Sequence, residues 1–308
     1  VLHSFSDGSD GGVPAAGLIN VGGALYGTAT YGGFGGGYGT VFRSTKGGSV
    51  TPLYSFKNGS DGGVPVASLL DVKGAFYSTT FGGLVQDVLG TIFKMTPSGA
   101  ETVLHVFGGG NTDGAYPRDG LTDLGGIFYG TTGGGGGTGC SYQTGCGTVF
   151  RMTSQGVESL LHVFVGPEDA FPIGGLIKVN GVLYGTTSGD EDAGGSGTVF
   201  KITPSADYNV LYTFSGSADG GGPDASLLDV GGVLYGVTSR GGSFNCNGGC
   251  GTVFKVTTAG VESVIYAFTS GNDGETPLSA LIDIGGKLYG TTQKGGTASC
   301  GTIYEIEP

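Results

Sequence analysis

Three histidines, His3, His105 and His162, are the side chains of this sequence best suited to proton transfer or zinc binding near neutral pH. Each lies two residues before a phenylalanine, in segments ending at Phe5, Phe107 and Phe164, and comparable segments carry Tyr54, Tyr212 and Tyr266 instead. A position that takes either ring is read as an amphipathic packing site, so a histidine triad or a zinc centre is not expected. Carboxylates are the next candidates. Asp190-Glu191-Asp192 is a local acidic cluster that could hold a hard cation or supply acid and base groups, although a solvated acidic tip is the simpler reading. Carboxylates on different loops could also serve a glycoside hydrolase or polysaccharide lyase, and Asp119, Asp190, Asp192 and Asp224 are the candidates for that alternative.

A recurrent aspartate is followed by proline at Asp10 and Pro14, Asp61 and Pro65, Asp113 and Pro117, Asp169 and Pro172, Asp219 and Pro223, and Asp273 and Pro277. Five of the six aspartates precede glycine, as expected of turns in which the carboxylate caps backbone N–H groups. Calcium is the one cofactor this pattern leaves open, but each loop offers one or two carboxylates where calcium takes six to eight oxygens. Aromatic side chains in the glycine-rich loops, Tyr31, Phe34, Tyr38, Phe81 and Phe244, form a different class of candidate, with Leu84 and Val85 beside Phe81. Such rings either stack on a sugar or anchor a protein partner, or fold back over a blade edge. Cys140 with Cys146 and Cys246 with Cys250 are expected to form local disulfides, leaving Cys300, and this points to an oxidising compartment. Segments such as Gly133 to Gly137 lack the strand, helix and Lys-Ser/Thr context of a phosphate loop. Asn58 opens an Asn-Gly-Ser sequon.

These residues are positioned by a repeat. A Leu/Phe-Tyr-Gly/Ser-Thr-like segment recurs at Tyr26, Tyr77, Tyr129, Tyr184, Tyr235 and Tyr289, with spacings by subtraction of 51, 52, 55, 51 and 54. Each is followed by a glycine-rich stretch and a Gly-Thr-Val/Ile-Phe/Tyr segment, then by the strand that ends in phenylalanine. A fourth apolar segment, such as Ser226-Leu227-Leu228-Asp229-Val230, precedes each tyrosine. Tight turns such as Gly231-Gly232 and Pro97-Ser98-Gly99 demand antiparallel neighbours, which argues against a parallel solenoid. Four antiparallel strands, a to d, repeated six times predict an all-β fold, a single six-bladed β-propeller over residues 1–308. The sixth unit stops after its third strand and Val1-Leu2-His3-Ser4-Phe5 matches a strand d, so the N-terminal strand is expected to complete the last blade, a one-plus-three closure. Connections alternate between faces along an antiparallel blade, so the long d-to-a and b-to-c loops share one face, where function is expected.

Leu183-Tyr184-Gly185-Thr186-Thr187 and Gly197-Thr198-Val199-Phe200-Lys201-Ile202-Thr203 resemble the bacterial GloVer-type (choice-of-anchor) glycine-rich tandem repeat, and the resemblance extends through all six units. The second unit departs most, with Ser78 in place of the usual glycine and Leu84 to Val88 in place of the glycine-rich loop. The resemblance implies secreted or surface-anchored bacterial proteins and no defined activity or catalytic residues. A formal charge of −12 with scattered basic residues argues against nucleic acid. No apolar run nears the roughly 18 residues that span a bilayer, so this segment is not expected to insert into a membrane. The chain opens at Val1 inside a strand pattern, as a processed piece of a precursor would. The function expected is therefore a non-enzymatic module, extracellular or on the cell surface, that binds a glycan or protein on the long-loop face or builds a fibre or surface layer. Self-association through Val1 to Phe5 pairing with a neighbouring copy is a variant of that reading.

Overall fold

The structure is a computed structural model, and it describes residues 1–82, 88–137, 139–140 and 145–308. Leu84 and Val85 lie outside the described residues. The fold is a six-bladed β-propeller. Blade one runs β1 (Ile19–Val21), β2 (Ala24–Ala29), β3 (Thr40–Ser44) and β4 (Val50–Ser55), and blade two runs β5 (Leu70–Val72), β6 (Ala75–Thr80), β7 (Thr91–Met95) and β8 (Glu101–Val106). Short β9 (Gly114–Ala115) precedes blade three, which orders β10 (Thr122–Leu124), β11 (Ile127–Thr132), β13 (Thr148–Thr153) and β14 (Glu158–Val163), with β12 (Gly134–Gly135) pairing β9. Blade four is β15 (Ile177–Val179), β16 (Val182–Thr187), β17 (Thr198–Ile202) and β18 (Tyr208–Thr213). Blade five is β19 (Leu228–Val230), β20 (Val233–Thr238), β21 (Thr252–Thr257) and β22 (Glu262–Ala267). In the sixth, β25 (Lys287–Lys294) pairs with β24 (Ile282–Ile284), β26 (Ile303–Ile306) and the short β23 (Glu275–Pro277).

The register explains the repeated sequence. In blade four Gly185 lies opposite Phe200, and a Cβ on Gly185 would come within 2.6 Å of that ring, so the glycine of Leu-Tyr-Gly-Thr makes room for the phenylalanine of Gly-Thr-Val-Phe. Blade two keeps the same pairing with Ser78 opposite Phe93, and the Ser78 hydroxyl donates to the Ser68 carbonyl at 2.9 Å. Where strand c meets strand d the register shifts by one residue, as between Val199 and Phe200, a bulge that increases twist at the outer edge. Each strand-d phenylalanine packs edge-on against the strand-c ring of the next blade, as Phe56 on Phe93 at 5.4 Å and Phe214 on Phe254 at 5.0 Å. These fully buried rings form the core between blades.

The chain divides into two compact units, residues 1–136 with 148–160 and residues 137–147 with 161–308. Within each unit, strand-b threonines tie one blade to the next: Thr28 donates to the Ala67 carbonyl at 3.0 Å in the first, Thr186 to the Ala225 carbonyl at 3.1 Å in the second. Val1 to Phe5 lies outside the named strands. Phe5 contacts Phe42 at 5.0 Å, the contact strand-d phenylalanines make in other blades.

Candidate functional site

The d-to-a and b-to-c loops meet on one face of each blade because their backbones pair. Gly12 exchanges two hydrogen bonds with Tyr31, at 2.8 and 3.1 Å, and Gly221 exchanges two with Arg240, both at 3.0 Å. The strands β9 and β12, and the pairing of β23 with β25, are the same contact in blades three and six. The residue before each loop proline adopts a left-handed backbone: Val13 (φ 50°), Val64 (55°), Tyr116 (58°), Phe171 (57°), Gly222 (63°) and Thr276 (57°). For a β-branched residue this is a strained conformation. Hydrogen bonding over-determines it: the Val64 N–H donates to the Tyr38 carbonyl and the Thr276 N–H to the Cys250 carbonyl, each from one blade to the next. The same proline packs over the glycine that opens the neighbouring strand c, and a Cβ on Gly39 would lie 2.4 Å from Pro65 Cδ. The loop face is thus a pinned framework.

Five of the six recurrent aspartates cap turns, and Asp169 instead accepts the Thr198 and Tyr208 hydroxyls. Asp61 accepts the Lys57 and Gly59 N–H groups at 2.9 and 3.1 Å, and Asp219 accepts the Ser215 N–H at 2.8 Å. The same carboxylates hold the strand-d ring: Tyr54 donates to Asp61 at 3.0 Å, Tyr212 to Asp219 at 2.9 Å, and His105 Nε2 lies 3.2 Å from Asp113 Oδ1. The first residue of the next strand d completes the group, as Glu101, Glu158 or Glu262. Burial raises the Tyr54 and Tyr212 phenols well above their ordinary range, and the bonded aspartates add to it. Burial pushes Glu158 up to about 6, against the pull of His105 and with the charge of Asp113 adding to it. Burial lowers His105, but the bond to Asp113 and the charges of Asp113 and Glu158 outweigh it and leave the imidazole raised. His162 differs: Tyr208 stands where the glutamate stands elsewhere, stacks on the imidazole at 3.8 Å, and gives its hydroxyl to Asp169 at 2.6 Å. Burial alone brings His162 down to about 4.

Among the aromatic candidates, Tyr31, Phe34 and Phe244 present exposed rings, with Phe34 67% and Phe244 68% accessible. Tyr38 is half-buried against the core of the first two blades. Phe81 folds back, with the Tyr116 ring at 5.2 Å and the Arg118 guanidinium 4.7 Å over its face. Phe34 is held by a backbone bond, N–H to Ser55 Oγ at 3.1 Å, and forms one wall of an open groove of about 300 Å³ completed by Pro52, Leu53, Tyr54, Ser55 and Lys57.

The carboxylate candidates are divided between the two units. Asp119 lies in the first unit, where its carboxylate accepts the Gly120 N–H at 2.6 Å and its carbonyl accepts the Thr79 hydroxyl. In the second unit Asp190 is buried at the start of a 3-10 turn, Glu191–Ala193, its carbonyl accepting the Ala193 and Gly195 N–H groups. Asp192 is exposed. Glu191 pairs with Arg240 Nη1, Arg240 Nη2 donates to the Ser188 carbonyl at 3.1 Å, and the Ser188 hydroxyl donates to Asp224. Glu191 and Asp224 are thereby joined through Ser188 and Arg240, two residues that sequence reasoning passed over. Arg240 was legible as the one basic residue at its loop position in blades one to five. Cys140 is bonded to Cys146 and Cys246 to Cys250, and Cys300 is free and exposed. The disulfides fit an oxidising compartment. Among the described residues no helix is long and apolar enough to cross a membrane.

The model of the Gloeobacter/Verrucomicrobia repeat matches residues 1–142 and again 138–308. The chain belongs to the Gloeobacter/Verrucomicrobia repeat family. Each matched stretch contains three of the six tyrosine segments, Tyr26, Tyr77 and Tyr129 in the first and Tyr184, Tyr235 and Tyr289 in the second. No curated protein sequence matches the chain. Among solved structures, a gluconolactonase from Xanthomonas campestris is similar at 14% identity and a TM-score of 0.54, over 97% of this chain and 88% of that one. A luciferin-regenerating enzyme is similar at 12% identity and a TM-score of 0.54, over 97% and 92%. At such identities the likeness of this repeat-family chain to both is one of fold alone.

Proposed function

We propose that this propeller is a non-enzymatic extracellular or cell-surface module that binds a glycan at the Phe34 groove, where the long loops of blade one meet its outer strand β4. One contrast carries the reading. Several of the carboxylates that chemistry would need are engaged in structure, with Asp61 and Asp219 in turn caps, Asp224 held by Ser188 and Glu191 by Arg240. Phe34 instead presents its ring to solvent beside Lys57, on a loop pinned through Ser55. An exposed ring beside a cation and the Ser55 hydroxyl offers a sugar one apolar face to stack on and donors for its oxygens. The two disulfides and the framework of cross-blade bonds suit a rigid extracellular platform. The carbohydrate-active alternative would run through Asp224, with Ser188 and Arg240 as its neighbours, and the propeller enzymes of similar fold lend it no residue-level support. Affinity electrophoresis through gels cast with a polysaccharide panel tests the proposal. Retardation by at least one polymer, weakened about tenfold by Phe34→Ala, is expected; migration unchanged by every polymer would overturn it.

A further inference from the structure

We infer that His105, Asp113 and Glu158 form a binding site for a divalent first-row transition ion of the zinc class. Their ligand atoms, one imidazole nitrogen and two carboxylate oxygens, all lie within 4.8 Å of one another. His105 comes from the end of β8, Asp113 from the following loop and Glu158 from the start of β14, so three separate segments of one compact unit converge on one point. Two of the three ligands are held from behind. The His105 ring sits edge-on to Phe107 at 4.8 Å, and Asp113 accepts the Gly108 and Gly114 N–H groups, both at 2.7 Å. Glu158 Oε1 is buried and finds no hydrogen-bond donor among the described residues. Glu101 Oε1 and Glu262 Oε1 at the equivalent positions are buried without a donor too, so the carboxylate arrangement belongs to the repeat and the imidazole of His105 is what makes this copy a ligand set.

The ligand set decides the ion. One imidazole and two carboxylates suit zinc and its first-row neighbours and fall short of the six to eight oxygens of calcium. Metal–ligand bonds of about 2.0–2.2 Å place tetrahedral ligands roughly 3.4 Å apart, so the widest pair closes by at most about 1.4 Å, within reach of the long Glu158 side chain. The His105 and Asp113 side chains keep 21% and 18% of their accessibility, so an ion can reach them from solvent. On binding, the metal replaces any proton shared between Nε2 and Oδ1, and that proton leaves to solvent.

The repeat supplies its own controls. Tyr54 with Asp61 and Glu101, and Tyr212 with Asp219 and Glu262, hold the same pair of carboxylates around a phenol whose proton is held too tightly for it to act as a ligand. His162 faces Tyr208 where a glutamate is needed, and Val50 holds the glutamate register after His3 and Asp10. The other convergent triplet, Cys246, Cys250 and Glu275, has its sulfurs in a disulfide. Sequence reasoning classed all three histidines as packing residues; the carboxylate facing His105 across the blade boundary separates it from the others.

The test is calorimetric titration of the full chain, first stripped with chelator, with Zn²⁺, and with Co²⁺ read by its visible absorption. One equivalent is expected for the native sequence. His105→Tyr, which restores the residue of other blades, and Glu158→Gln should each weaken binding at least tenfold with the circular dichroism unchanged. Tyr54→His should gain a second equivalent, because Asp61 and Glu101 are already in place, and Tyr212→His is its independent replicate. Absence of binding, binding unaltered by His105→Tyr, or folded histidine variants that both remain at one equivalent would overturn the inference. None of these results depends on the glycan reading.

Discussion

Replacing His162 by phenylalanine should remove a pH dependence of stability that the structure assigns to one ring. His162 is half-buried, stacked on Tyr208 at 3.8 Å and set edge-on to Phe164 at 4.8 Å, so it is surrounded by apolar faces. Its pKa falls from 6.5 to about 4, a difference of about 2.5. Above pH 6.5 the ring is neutral in both folded and unfolded chains and costs nothing. Between pH 6.5 and 4 the unfolded chain takes up a proton that the native state refuses, so stability falls as pH falls, and the loss is complete below about 4. At about 1.4 kcal/mol for each pKa unit the full desolvation figure is ~3.4 kcal/mol; residual exposure of the ring reduces the expectation to about 1–2 kcal/mol. Phenylalanine keeps the stack and does not titrate. Urea unfolding at pH 7.5, 6, 5 and 4 should show the native chain losing that amount relative to His162→Phe, the two differing little at pH 7.5. Parallel profiles, or a His162 pKa near 6.5 by NMR, would refute the reasoning.

Thr186→Val removes the hydroxyl that donates to the Ala225 carbonyl from a position 1% exposed, and should cost about 1–2 kcal/mol in chemical denaturation; an unchanged midpoint would show the cross-blade bond contributes nothing. Gly197→Ala places a Cβ 2.2 Å from the Thr187 carbonyl at φ 92°, and a loss of roughly 3 kcal/mol or more is expected by the same measurement. Phe34→Ala should weaken glycan binding about tenfold, since an aromatic contact of this kind is worth ~0.5–1.5 kcal/mol beyond its area. That loss is measurable by titration at constant circular dichroism.

The blades were legible because their signals are local. Tyr184, Gly185 and Phe200 lie on hairpin-paired strands, and the hydrophobic alternation and Gly-Gly turns that mark those strands act over a few residues. The turn role of the loop aspartates was legible for the same reason, since Asp219 caps a backbone group four residues away. What lies across a blade boundary was not. Glu158 meets His105 and Asp113 from a separation of about fifty residues, and no spacing rule relates them. The left-handed residue before each proline runs against the usual pre-proline preference for extended backbone, so local rules pointed away from Val64 and Thr276. Hydrogen bonds from neighbouring blades hold those residues where their own preferences would not. Phe81 and Phe34 look alike in sequence; Arg118, brought over the Phe81 ring by the next d-to-a loop, decides which of the two stays open.

The central claim is that the loop face binds a glycan without turning it over. Its most direct test is titration of a retained polysaccharide with the native chain, Phe34→Ala and Asp224→Asn, with chromatography of the polymer after prolonged incubation. Binding weakened about tenfold in Phe34→Ala, kept in Asp224→Asn, and a polymer of unchanged length is the predicted result. Shortened or unsaturated products that vanish in Asp224→Asn, with Phe34→Ala behaving as the native chain, would contradict it.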